Sequence, residues 1–154
     1  PGLDRRFDAQ KWAFLPPACW MDAADEAQDR EFHGQYDIWG GDIDPRAVDI
    51  ARDNARKAGV DDCVRFQVAD AAQFHRDSPY GQLVTNPPYG ERMLEQRSAQ
   101  RLYSAFGRHL KYADGWKKYI ISSEPEFEHY YGKQAVKKRK LYNGRLQCNV
   151  YMYY

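Results

Sequence analysis

The sequence predicts an α/β fold with a mainly parallel sheet and a terminal antiparallel hairpin. Three observations predict it. Short strand-like runs alternate with stretches of helical periodicity, the arrangement expected of βαβ units. Several of these runs end in Gly, Asp or Asn-Pro-Pro, the kind of punctuation that stops a strand at a loop. Near the C-terminus, Asn143-Gly144 separates two further strand-like runs, a strong short-range hairpin signal.

The elements follow in order. Residues 1–20 show no clean period; Phe7, Trp12, Phe14, Leu15 and Trp20 are large and apolar, and Pro16-Pro17 breaks any helix, so an irregular segment packing its aromatics on a neighbour is expected. Residues 21–32 have the composition of a short exposed helix. Tyr36-Asp37-Ile38-Trp39 reads as a strand ending at Gly40-Gly41. Asp44 then serves as N-cap and Pro45 as first-turn residue of a helix whose stripe is Ala47, Val48, Ile50, Ala51, Ala55 and Ala58, closed by Gly59. Residues 64–68 and 82–85 read as strands, 98–112 as a helix, 116–122 as a strand and 125–131 as a short helix. Residues 137–142 and 146–153 form the hairpin.

Composition bounds the function. The 154 residues are enough for about one domain, and 43% hydrophobic with 29% charged residues excludes collagen-like and disordered classes. The formal net charge of +1 gives no global basic field, so any nucleic-acid role must come from local patches. Cys19, Cys63 and Cys148 are too widely spaced for a zinc or disulfide framework, and no metal is expected. No apolar run is long enough to span a bilayer. No apolar signal segment follows the N-terminus, so the chain reads as a soluble, cytoplasmic protein with no membrane partner. A chain opening on Pro1 with no starting Met reads as a fragment or a trimmed chain.

In an open α/β sheet, ligands bind beyond the carboxyl ends of the strands. Three such ends carry candidate chemistry. At Gly40-Gly41-Asp42-Ile43-Asp44 the glycines allow close backbone approach and an acidic side chain can accept both hydroxyls of a ribose; the alternative is that Asp42 and Asp44 only cap the next helix. At Ala69-Asp70-Ala71 the carboxylate can accept from an adenine amino group, or the Asp can simply be a turn residue. At Asn86-Pro87-Pro88-Tyr89 two prolines hold the backbone extended, the Asn offers an acceptor oxygen and the Tyr a flat face. That set suits an exocyclic aryl amine, whose two N–H bonds are accepted while the ring stacks, and it acts by positioning.

With these three ends in place, the chain resembles the class I S-adenosylmethionine-dependent methyltransferases that modify amino groups of nucleobases. Asn86-Pro87-Pro88-Tyr89 matches their [DNS]-P-P-[YFW] motif, and Asp42 and Asp70 match the acidic positions after their second and third strands. Three segments also resemble the THUMP-domain-containing guanine-N2 methyltransferases, particularly bacterial enzymes acting on 23S rRNA. These are Pro1-Gly2-Leu3 with Phe7 and Lys11-Trp12, Asn86 through Arg92 (NPPYGER), and Lys138 through Gly144 (KRKLYNG). The resemblance spans nearly the whole chain and implies a Rossmann-like class I sheet, S-adenosylmethionine as cofactor and an RNA partner. It implies that Asn86, Pro87, Pro88 and Tyr89 hold the target base, and that Asp42, Ile43, Asp70, Ala71 and Asn86 hold the cofactor. The family's Gly-rich motif on the first strand and its THUMP domain have no counterpart here. Residues 1–154 therefore read as part of a methyltransferase domain, with a split sheet and no activity alone.

Arg92 can contact RNA phosphate or be solvated. A basic cluster of Lys133, Lys137, Lys138, Arg139, Lys140 and Arg145 surrounds the hairpin, with Lys117 and Lys118 adding to it in sequence; it can meet RNA, or blunt an edge strand. The four histidines have no partners in the sequence that point to catalysis, and Tyr142, Tyr151, Tyr153 and Tyr154 read as sheet packing. Two other functions stay open: adenine-N6 methylation of DNA or RNA, and a non-catalytic RNA-binding relic of the fold.

Overall fold

The computed structural model describes residues 6–32, 34–88 and 93–154. Its elements are α1 (Ala18–Asp29), β1 (Ile38–Asp42), α2 (Pro45–Ala58), β2 (Val64–Val68), β3 (Gly81–Thr85), α3 (Met93–Leu110), β4 (Trp116–Ser122), α4 (Phe127–Tyr131), β5 (Lys137–Asn143) and β6 (Leu146–Tyr153). Two short 3₁₀ turns, Asp8–Lys11 and Ala71–Gln73, complete the list. None of the described helices is long and apolar enough to cross a membrane. The strands form two sheets: β1 pairs with β2, and the others run in the order β3-β4-β6-β5. β3 and β4 are parallel, whereas β6 is antiparallel to both β4 and β5. The sheets are thus mixed: β3 and β4 keep the expected parallel pairing, and the expected hairpin supplies the antiparallel part, with β6 entering beside β4.

The chain divides into two compact units. The first holds the residues up to Gly40 together with Pro45–Gln67. Here α2 buries Val48 and Ala55 and leaves Ile50 exposed, so the apolar stripe is narrower than the periodicity predicts. Gly59 ends α2 at a φ of 66°, the left-handed position a C-terminal Gly supplies. α1 begins three residues earlier than expected, directly after Pro17, because proline's fixed φ suits a helix start even as it blocks a helix interior. The N-terminal aromatics do not bury against a neighbour. Phe7 stacks on Trp20 and Trp12 on Phe14, and Trp12 and Phe14 stay exposed.

The second unit, Gly41–Asp44 with Val68–Tyr154, holds the main core. Alternation along β4 and β6 turns Ile120, Tyr151 and Tyr153 to one side, where they meet Tyr103, Phe106 and Leu110 of α3 and Phe127 and Tyr131 of α4. The Phe127 ring lies 4.4 Å from Tyr151 and 4.9 Å from Tyr103, measured between centroids. Tyr151 and Tyr153 are core residues as predicted; Tyr142 and Tyr154 are exposed. Lys118 is buried too, its ammonium donating to the Ala113 carbonyl at 2.6 Å. Being buried, it does not add to the exposed basic surface, and burial together with the nearby Lys133 charge lowers its pKa. The hairpin turns on Gly144-Arg145, one residue later than Asn143-Gly144, since Asn143 already pairs with Leu146. Gly144 takes the positive φ of 61° that the first loop position demands.

Candidate active site

Asp42 closes β1 and is exposed. Its Oδ1 accepts the Asp44 N–H at 2.9 Å, which bends the chain into α2, and Oδ2 has no partner among the described residues. The Asp42 carbonyl accepts the Ala69 N–H at 2.9 Å, so the ends of β1 and β2 are joined and Asp70 follows directly. Asp70 caps the 3₁₀ turn at Ala71–Gln73, its Oδ1 taking the Ala72 N–H at 2.8 Å. The capping and turn readings are thus realised by one oxygen of each carboxylate, and the second oxygen of each remains available for a ligand. Ile43, next to Asp42 in the chain, holds an apolar side chain 69% exposed, and Ala71, next to Asp70, is exposed as well. Two carboxylates and an apolar contact suit a molecule with hydroxyls, an amino group and a flat ring. Gly40 is also small for packing: a Cβ there would stand 2.7 Å from the Phe66 ring.

Asn86 follows β3 and is exposed, Pro87 is buried, and Pro88 is exposed. The Pro88 carbonyl accepts the Tyr103 hydroxyl at 3.1 Å. Tyr103 in turn accepts from Ser122 Oγ at 3.1 Å, and Ser122 Oγ accepts the Glu124 N–H at 3.1 Å. The buried Glu124 carboxylate takes the Gln100 amide at 3.3 Å and the Glu126 N–H at 3.2 Å. A buried polar chain therefore ties the Asn-Pro-Pro backbone to α3 and to the end of β4. The Pro88 carbonyl is held by the protein through Tyr103. Tyr89 and Arg92 lie outside the described residues, as do Pro1-Gly2-Leu3.

The sequence reading missed Tyr103, Ser122 and Glu124. Tyr103 carries only the signal of an apolar helix stripe, and its partners lie 15 and 19 residues away in the chain. The basic residues of β5 are all exposed, but strand alternation puts Lys137 and Arg139 on one face and Lys138 and Lys140 on the other. Lys138 is also committed to Glu128 at 2.8 Å. No group of metal-ligating side chains occurs among the described residues.

A family model for the RMKL-like methyltransferase domain matches residues 2–152. The ribosomal RNA large subunit methyltransferase K/L of Shewanella amazonensis is 37% identical over 159 residues, covering 99% of this chain and 22% of that protein. The solved structure of SMU.472, assigned as a methyltransferase and complexed with SAH, superposes with a TM-score of 0.90 at 36% identity, over 99% of this chain and 41% of its own. A Listeria monocytogenes structure, titled a predicted N6-adenine-specific DNA methylase, gives a TM-score of 0.87 at 38% identity over 99% of this chain and 40% of its own. The chain spans at most 40% of the length of the curated relatives it matches most strongly.

Proposed function

Because this chain belongs to the RMKL-like methyltransferase domain family, we propose that it is part of the catalytic domain of an S-adenosylmethionine-dependent RNA methyltransferase that acts on guanine N2 of 23S rRNA. The observation that carries the reading is the set of three strand ends. Asp42 and Asp70 each keep a carboxylate oxygen without a partner among the described residues, Ile43 next to Asp42 is exposed, and Asn86-Pro87 belongs to a segment anchored to the core through Tyr103. The SAH in the SMU.472 structure and the name of the K/L relative support the cofactor and the RNA.

The residues present fit the cofactor. Asp42 would take its ribose hydroxyls, Asp70 its adenine amino group, and Ile43 and Ala71 the adenine face. The chemistry it supplies when bound is a methyl group on a sulfonium, activated enough that no metal or covalent nucleophile is required. Asn86 Oδ1 and the Pro87 carbonyl accept the N–H bonds of the target amine and fix the direction of its lone pair. The base would leave its stack to reach this loop and lie on Tyr89. Positioning supplies most of the acceleration. Arg92, Lys137, Lys138, Arg139 and Lys140 are the proposed contacts to RNA phosphate.

We read residues 1–154 as a partial domain completed by a Gly-rich strand and an RNA-binding region elsewhere in the protein. The separate β1–β2 and β3-β4-β6-β5 ladders support this. The test is a nucleoside digest of 23S rRNA treated with the longer protein that carries this chain. N2-methylguanosine is expected, and its loss in Asn86→Ala. N6-methyladenosine as the sole product overturns the guanine assignment in favour of the adenine reading, which the name given to the Listeria protein favours.

A further inference from the structure

We propose that the outer face of α3 is a second RNA-backbone contact surface, formed by Arg97, Arg101 and Arg108. The inference deepens the RNA reading above and rests on it. At 3.6 residues per turn, Arg101 and Arg108 lie about 40° and 20° around the helix from Arg97, so the three form one stripe about 16 Å long. All three are exposed.

This stripe departs from the way the chain treats cations on its other helices. Arg30 pairs with Glu26 at 2.8 Å and Arg52 with Asp49 at 3.3 Å, and Arg56 pairs with Asp53. Each of those arginines has an acid three or four residues before it. Arg97, Arg101 and Arg108 have no acidic residue three or four positions away on either side, and no ion pair among the described residues. Arg97 and Arg101 stand four apart, a like-charge spacing that is unfavourable on an isolated helix. Arg108, in the last turn, gains from the carbonyl end of the helix; the other two have no such return.

Three unpaired guanidinium groups in line match a row of phosphates, which they can grip bidentately. α3 begins a few residues after the Asn-Pro-Pro loop and is tied to it through Tyr103, so RNA held on this face would run from the site that takes the target base. By comparison, the hairpin cluster divides between two faces and spends Lys138 on Glu128.

The test is fluorescence anisotropy of a labelled 23S rRNA hairpin bound to the chain across a salt series. Each lost phosphate contact lowers the slope of log affinity against log salt by about 0.7–0.9. Arg97→Gln/Arg101→Gln/Arg108→Gln should therefore lower it by about 2–3 and weaken binding about tenfold or more at moderate salt. The melting temperature should hold or rise, because a like-charge pair is relieved. The control Arg30→Gln/Arg56→Gln also removes cations but should leave the slope unchanged. An equal fall in the control means that net charge alone acts, and overturns the proposal. A triple variant that keeps RNA binding and slope overturns it while the RNA reading stands; if that variant loses binding to poly-glutamate instead, the stripe serves an acidic protein surface. A parent chain that binds no RNA overturns it as well, and the nucleoside digest then judges the enzymatic reading separately.

Discussion

One hydroxyl joins the candidate site to the core. Tyr103 donates to the carbonyl of the exposed Pro88 and accepts from Ser122, and its own hydroxyl and Ser122 are buried, where an unmade hydrogen bond is expensive. Tyr103→Phe keeps the ring and should cost about 1–3 kcal/mol in urea denaturation. In the longer enzyme it should lower kcat more than it raises KM, because the displaced loop presents the amine rather than the cofactor. Asp42 permits a finer dissection, since its two oxygens have separate tasks. Asp42→Asn retains an oxygen for the Asp44 N–H but loses the charge. It should leave the melting temperature in place while weakening S-adenosylhomocysteine about tenfold, about 1.4 kcal/mol by calorimetry. Asp42→Ala removes both functions and should lower stability as well. The strand-end positions of Asp42 and Asn86 were legible, and their residue types make them candidates for chemistry. Tyr103 was not, because its role arises only where α3 passes the loop.

Between elements, close approach decides more than propensity. Gly107 lies inside α3, where glycine costs about 1 kcal/mol relative to alanine. A Cβ there would fall 1.9 Å from the Tyr131 carbonyl oxygen, so α4 packs against α3 only because the side chain is absent. Gly107→Ala should therefore destabilise the chain despite its better helix propensity, and a lowered midpoint in thermal unfolding checks this. α4 is tied in turn to β5 through Glu128, which accepts the Ala135 N–H at 2.7 Å and the Lys138 ammonium at 2.8 Å. Burial alone would raise the Glu128 pKa, but Lys138 and the Ala135 N–H outweigh it and hold it below the usual carboxylate range. The depressed pKa means that the folded state binds this proton less readily than the unfolded one. The stabilisation is therefore present above the unfolded glutamate pKa of about 4.3 and lost as pH falls through the folded value. Glu128→Gln should abolish that part of the acid sensitivity in a pH series of melting curves. The helix boundaries of α2 and the strands β2, β3 and β4 were readable from period and punctuation. The earlier start of α1 was not, since Pro16-Pro17 bars a helix interior and opens a helix equally well.

At the scale of the molecule, the strands form two ladders rather than one sheet, and the family relatives are more than twice as long as this chain. The chain alone should show no methyl transfer to rRNA and only weak binding of S-adenosylhomocysteine by calorimetry; robust turnover by the 154-residue chain would refute the partial-domain reading. By itself the sequence determined the α/β class, the order of its elements, the hairpin and the strand-end residues. Those rest on local period, turn chemistry and residue type, all written within a few positions of the chain. Tertiary structure alone decided that β6 rather than β5 lies beside β4, the need for glycine at positions 40 and 107, and the hydrogen-bonded chain from Pro88 to Glu124. The physical reason is that each depends on which atoms meet across long stretches of sequence, and contacts of that kind leave no periodic trace in either partner.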